Sequence, residues 1–392
     1  MNQRTLSHAA QIVTATTADF PADMALKRYF VEKQYLIGTE RREVSRAVFA
    51  YFRWFGWLNS KVSREAQVEQ AVELSINFAK DPKSIKEPAL AALAVPEWLK
   101  SEMTVTPEFI RQLQQEPPLW LRARPGHGSK LMMALGDCIA APSSPDSIRY
   151  KGSRDLFLSQ SFKNGDFQIQ DLSSQLVSVI ASPKPGETWW DACSGEGGKT
   201  LHIADLLQNK GVVWATDRSL RRLDVLKTRA KRAKVFNYRS KPWDGGQKIE
   251  DPKNPGVMLP GKLPFKTKFD GILLDAPCSG IGTWRRNPHA RWSVTVEDIK
   301  ELAVIQAALL KQVSELVKPG GLLMYAVCTL THAETTGIFD AFTAANPEFI
   351  PELKTVNGLP ADPLSKPGSL FLWPQAVDAN GMYIATWRRS KA

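Results

Sequence analysis

The 392-residue sequence predicts an α/β protein built on a doubly wound, mainly parallel sheet, with a small α/β subdomain before it and an N-terminal all-α domain. Three observations predict this. From residue 166 onward, short apolar runs alternate with helical patterns, the rhythm of βαβ units. The first of these runs passes into a glycine-rich turn, 193–198, that opens a helix. Residues 1–115 place apolar side chains at helical spacing and show no strand pattern.

Taken in order, Ala25, Leu26, Tyr29, Phe30 and Val31 mark one N-terminal helix. Val44, Val48, Tyr51, Phe52 and Phe55 mark a second, carrying Arg41, Arg42, Arg46 and Arg53, and a third is expected over 66–79. Pro117-Pro118 opens the small subdomain, 116–165, with strand-like pieces at 118–124, 147–150 and 155–158 and a short helix at 129–135. In the main domain, 166–392, strands are expected at 188–193, 212–217, 269–276, 322–328 and 382–388. Helices are expected at 199–207, 220–233, 296–317 and 336–345, the third closed by Lys318-Pro319-Gly320-Gly321. Ligands of such sheets lie beyond the carboxyl ends of the strands, where Asp217, Asp275, Cys278 and Cys328 stand. One loop, 245–268, holds four prolines and five lysines and has little periodicity.

Composition narrows the class. Hydrophobic residues make up 43% and charged residues 23%, ordinary for a soluble globular chain. No apolar run approaches the roughly 18 to 20 residues of a membrane helix, and the start has no signal-peptide pattern. With 51 basic and 40 acidic residues the net charge is +11, which points to a polyanionic partner. The four cysteines (138, 193, 278, 328) have no metal-ligand spacing, which argues against a metal site or a disulfide framework. Reduced thiols, a cytoplasmic location and a monomer are the expectations.

The loop Cys193-Ser194-Gly195-Glu196-Gly197-Gly198-Lys199-Thr200 looks at first like a phosphate cradle. That motif needs a glycine five positions before Gly198, where Cys193 stands. The dinucleotide pattern fails too, and Asp191 and Glu196 would repel a pyrophosphate. S-adenosylmethionine fits better. Glycines admit its close approach, the helix N-terminus suits its carboxylate, and acidic side chains suit its amine. Asp217 is placed for the ribose hydroxyls and Asp244 for the adenine edge.

The stretch 269–280 ends an apolar strand in Asp275-Ala276-Pro277-Cys278, and Cys328 ends the next strand. Two thiols at adjacent strand ends, one near a carboxylate, suit methylation of carbon 5 of a pyrimidine. That carbon is too weak a nucleophile until a thiolate adds at carbon 6. A second thiol helps the later release, and Lys199, Arg285 and Arg286 are candidates for the positive charge that favours a thiolate.

These stretches resemble the Fmu/Sun (RsmB-like) RNA 5-methylcytosine methyltransferases. The resemblance rests on Gln170-Asp171, the loop 193–200, Asp275 to Gly280, Gly282-Thr283, Arg286-Asn287-Pro288, Lys318 to Gly321 and the Cys328 strand, and covers 116–392. It implies a Rossmann-like methyltransferase sheet. It implies Cys328 as nucleophile, Cys278 as the residue assisting release, and Asp275 at the base edge. Cofactor contacts would fall to Cys193, Ser194, Gly195, Glu196, Gly197, Gly198, Lys199, Asp217, Asp244 and Asp275. The N-terminal region is similar to a NusB-like helical RNA-binding domain, through 25–54 and Pro96-Glu97-Trp98-Leu99, which implies ribosomal RNA as partner. The sequence departs from the family pattern at Gly195-Glu196, where Ala-Pro is usual, at Val327, where threonine is usual, and over 237–243.

Residues 218–241 hold ten basic side chains and one acidic, Asp224, a density suited to RNA phosphates. Two rival readings remain. A DNA cytosine-5 methyltransferase would use Cys278 as nucleophile, and a non-catalytic RNA-binding factor would need neither thiol. Transfer RNA is the alternative RNA substrate.

Overall fold

The computed structural model describes residues 1–246, 249–250, 258–259, 262–360 and 362–391, so part of the loop 245–268 lies outside the described residues. The chain divides into two compact units. The first is Met1–Pro117 with Ser279–Ile299, and the second is Pro118–Cys278 with Lys300–Ala392.

The first unit is helical. Gln3–Ala15, Ala22–Glu32, Gly38–Arg53 and Arg64–Lys80 bury Leu6, Ile12, Val44, Val48, Trp54, Val68 and Phe78 in one core, against which Trp292 packs. Arg291 explains why a segment so distant in sequence joins this unit. Its fully buried guanidinium donates to the carbonyls of Arg53 (3.4 Å), Ala94 (2.8 Å) and Leu113 (3.1 Å). These carbonyls close the helices Gly38–Arg53, Glu87–Leu93 and Pro107–Leu113. One cation thus satisfies orphan acceptors at three helix C-termini, where the backbone dipole is negative.

In the second unit, β1 (Leu119–Ala123), β2 (Cys138–Ala141), β3 (Ser144–Tyr150) and β4 (Phe167–Ile169) form an antiparallel sheet in the order β2-β3-β1-β4. Leu121, Ile148 and Phe167 are its buried centre, with Leu131 of the helix Gly128–Leu135. The strand expected at 155–158 is instead a 3₁₀ turn, Leu156–Leu158. Asp155 caps it by accepting from the Phe157 N–H at 3.0 Å, a local bond that outcompetes extension.

The large sheet comprises β5 (Thr188–Asp191), β6 (Val212–Asp217), β7 (Tyr238–Pro242), β10 (Phe269–Asp275), β11 (Val317–Val327), β12 (Phe349–Pro351), β13 (Ser369–Leu372) and β14 (Met382–Arg389). Between β7 and β10 lies a short antiparallel pair, β8 (Ile249–Glu250) and β9 (Met258–Leu259). The order is β12-β14-β11-β10-β5-β6-β7, with β13 beside β14. Strands β11, β10, β5, β6 and β7 are parallel, and β14 is antiparallel to β11. The chain runs outward from β5 to β7, then returns to set β10 on the other side of β5. The β5/β10 junction is therefore the switch point where such sheets bind ligands. Lys318 to Gly321 does not simply close a helix. The helix ends at Ser314, and Val317 already pairs with Phe269 before a bulge and the left-handed Gly320.

Among the described residues no helix is long and apolar enough to cross a membrane. Nor does any group of three or more side chains suit a metal ion.

Gly271 in β10 faces Trp189 of β5. A Cβ there would sit 2.4 Å from the indole of this fully buried tryptophan. Gly271→Ala is expected to cost about 1–3 kcal/mol by overpacking, read as a lower urea midpoint at unchanged m. A midpoint equal to wild type would show that the core yields there.

Candidate active site

Each strand of the switch point ends at an aspartate, Asp191 for β5 and Asp275 for β10. β5 ends at Asp191, and the chain turns through Cys193 to Gly197 before the helix Gly198–Leu206. The turn is pinned to its neighbours. The Ala192 N–H donates to Leu273 O (2.9 Å), the Ser194 N–H to Thr216 O (2.8 Å), and the Thr216 hydroxyl to Ala192 O (2.8 Å). Gly197 caps the helix at φ +80°, and a Cβ there would meet Leu226 Cδ1 at 2.0 Å, so only glycine fits.

Asp217 ends β6 as expected. Its Oδ2 accepts from the Gly195 N–H (2.9 Å) and its Oδ1 from the Ser219 N–H (2.8 Å), which locks the glycine loop to the second strand. Lys199, buried, donates to Asp275 Oδ2 at 2.7 Å. Burial works against this ammonium, yet the charge and hydrogen bond of Asp275, with the charges of Cys328 and Asp191, raise its pKa. Lys199 therefore feels the carboxylates of Asp275 and Asp191 and the Cys328 sulfur.

The two thiols predicted at strand ends are brought together: Cys278 Sγ and Cys328 Sγ lie 3.3 Å apart, with no disulfide between them. Cys193 is different. Burial, then the charges of Asp191, Asp275 and Asp217, push its thiol far up and so disfavour the thiolate. That shift also shows that three carboxylates converge on one loop.

Asp191, one of the acidic side chains expected to suit an amine, has the most perturbed carboxyl of the loop. It is fully buried, and burial raises its carboxyl to about 7. Asp275 and Asp217 add to the rise, and the Thr200 hydroxyl, 2.6 Å from Oδ2, opposes it. Its Oδ1 and the Ser194 Oγ are buried without a hydrogen-bond partner. Orphaned acceptors, an acidic cluster and a helix N-terminus fit a ligand with an amine, a positive sulfonium and a carboxylate, as S-adenosylmethionine has. The only sequence signal was a carboxylate directly ahead of the glycine turn.

Other predicted residues are more loosely placed. Glu196 is exposed, and its carbonyl accepts from Arg229. Asp244 is exposed beyond β7, its Oδ1 accepting from the Gly246 N–H at 3.0 Å. Arg285 is buried in the first unit and donates to Glu116 O at 2.8 Å. Of the ten basic residues at 218–241, Arg229 and Arg232 bond Gln168, and Lys241 stacks over Phe265. Arg218, Arg221, Arg222, Lys227, Lys231, Lys234 and Arg239 are exposed. In the N-terminal unit Arg53 is buried, its NH2 donating to Arg285 O, so it offers nothing to a phosphate.

A family model for the 16S rRNA methyltransferases RsmB/F matches residues 178–388. The probable ribosomal RNA small subunit methyltransferase B of Bacillus subtilis is 35% identical over 58% of this chain and 49% of its own length. The ribosomal RNA small subunit methyltransferase B of an Enterobacter species is 31% identical over 83% of this chain and 71% of its own. The chain thus spans about half the length of the Bacillus relative. The crystal structure of PH0851 superposes at a TM-score of 0.79 with 21% identity, covering 99% of each chain, a likeness of fold.

The folded pKa of Asp191 lies above its ordinary value of 3.8, at about 7. The native state therefore keeps a proton that the unfolded chain has lost. The stability this proton contributes is complete below pH 3.8 and is lost as pH rises through about 7. Asp191→Asn is expected to flatten the fall in urea midpoint across that window. A slope identical to wild type would assign the proton elsewhere.

Proposed function

Because the chain belongs to the 16S rRNA methyltransferase RsmB/F family, we propose that it methylates carbon 5 of a cytosine in RNA, ribosomal RNA foremost, through a covalent Cys328 adduct at carbon 6. S-adenosylmethionine is the cofactor, and when bound it supplies an electrophilic methyl group. The observation that carries the reading is the approach of two thiols to 3.3 Å beside the Lys199–Asp275 pair.

The residues divide the work. Asp191, Asp217 and the loop 193–198 hold the cofactor side. The Lys199 ammonium stabilises the Cys328 thiolate, since a thiol is only a few per cent ionised at neutral pH without help. The thiolate adds to carbon 6 of the base, and the electrons pushed toward carbon 5 make it nucleophilic. Asp275, at the same strand end, meets the polar edge of the base, where charge changes during addition. Once carbon 5 carries its methyl group, the Cys278 thiolate takes the carbon-5 proton, the freed electron pair restores the carbon 5–carbon 6 double bond, and the sulfur–carbon 6 bond breaks with its electrons returning to Cys328. Cys278 assists this release. The exposed arginines and lysines at 218–239 hold phosphates without choosing the base. A stacked cytosine must be flipped out to reach the thiols.

Full-length variants incubated with ribosomal RNA and labelled cofactor test this. Cys328→Ala is expected to abolish methylation and form no adduct. Cys278→Ala should accumulate a covalent RNA–protein complex on a denaturing gel. An active Cys328→Ala beside a dead Cys278→Ala would move the nucleophile to Cys278, and methylation of DNA but not RNA would sink the substrate class.

A further inference from the structure

Both sulfurs lie past the ends of their strands. A ladder bond from the Ala276 N–H to Ala326 O at 3.0 Å joins β10 and β11 just before the two cysteines. Gln306, fully buried in the helix Val296–Ser314, reaches the support of one cysteine directly: its Nε2 donates to the carbonyl of Pro277, the residue before Cys278, at 2.8 Å. The same nitrogen donates to Oε1 of the fully buried Glu334 at 3.0 Å. Glu334 Oε2 accepts from the hydroxyls of Thr329 (3.1 Å), the residue after Cys328, and Thr331 (2.9 Å). Tyr325 of β11 joins the group, its hydroxyl 2.9 Å from Gln306 Oε1 and 2.7 Å from Glu334 O.

A continuous path, Pro277–Gln306–Glu334–Thr329, therefore links the peptide on one side of Cys278 to the peptide on the far side of Cys328. Bonds to a buried carboxylate are charge-assisted. Losing one member leaves the next a desolvated, unsatisfied group. The path therefore holds both ends together or neither. We propose that Gln306 and Glu334 are positioning residues that hold the two sulfurs at reacting distance, so that attack by one thiol and release by the other occur on the same base. This rests on the two-thiol reading above.

The sulfur separation can be measured without RNA or cofactor. Glutathione disulfide oxidises the pair: one protein S–S bond forms, one glutathione S–S bond breaks, and two glutathione thiols are released. The equilibrium constant reports how well the fold presents the sulfurs to each other. Thr329→Val, isosteric but without the hydroxyl, and Gln306→Met are expected to lower it about tenfold, equivalent to about 30 mV. Thr329→Ser should stay within about twofold of wild type, a difference below about 10 mV. In the methylation assay Thr329→Val and Gln306→Met should also retain the covalent RNA complex longer than wild type. If Gln306→Met fails to fold, the comparison of Thr329→Val with Thr329→Ser decides. A folded Thr329→Val with the wild-type equilibrium overturns the proposal. A shifted equilibrium in a protein that methylates no RNA overturns the functional reading and leaves the positioning role intact.

Discussion

The parallel, in-register pairing of β10 with β11 is the constraint on which the site depends. Asp275 stands opposite Ala326 in the ladder, so the two strands leave the sheet at the same level and on the same edge. Cys278 comes three residues after Asp275, and Cys328 two residues after Ala326. In an antiparallel pair these chain exits would lie at opposite ends, and no loop adjustment would bring the sulfurs to 3.3 Å. The same logic acts on the other flank. β5 pairs with β10 from Gly271 to Leu273, which sets the glycine loop beside Asp275 and lets Lys199 reach it. Thiols, ion pair and glycine loop are three consequences of one strand order.

The distribution of charge follows from the same arrangement. The inner loop is acidic, with Asp191, Asp217 and Asp275 all acting on Cys193. Lys199 is the cation that joins this acidic region to the Cys328 sulfur. Positive charge is plentiful elsewhere, but not all of it faces outward. Arg53, Arg122, Arg285 and Arg291 are buried. Arg122 pairs with Asp205 at 2.7 Å, and Arg53 and Arg291 bond backbone carbonyls. The net +11 therefore overstates the surface available to a polyanion. Within 218–241, seven of the ten basic side chains stay exposed.

Much of this was legible in the sequence, for a definite reason. Strands β6, β10 and β14 and the helices Leu220–Ala233 and Thr336–Ala345 follow from local periodicity, capping and turn chemistry. The paired cysteines were legible because each follows an apolar run within a few residues. What escaped depends on partners far along the chain. Gln306 reads as one more polar residue in a long helix, and Glu334 as a surface acid, until Pro277 and Thr329 are folded against them. Asp191 reads as a strand-ending carboxylate, and only its complete burial raises its pKa to about 7. Residues 155–158 alternate like a strand, but a single cap from Asp155 turns them.

The placement of Ser279–Ile299 has the widest structural consequence. This segment begins at the residue after Cys278, yet its Trp292 packs on the helical core and its Arg291 closes three helices there. A cut at residue 117 does not yield a self-sufficient helical domain. It would strip Arg291 from the carbonyls of Arg53, Ala94 and Leu113 and leave those helix ends without their shared donor. Nor does it yield an unburdened catalytic domain, since Trp284 and Arg291, both fully buried in the intact chain, would lose the helices that cover them. The helical unit is thus built partly from a segment that starts at the residue after Cys278.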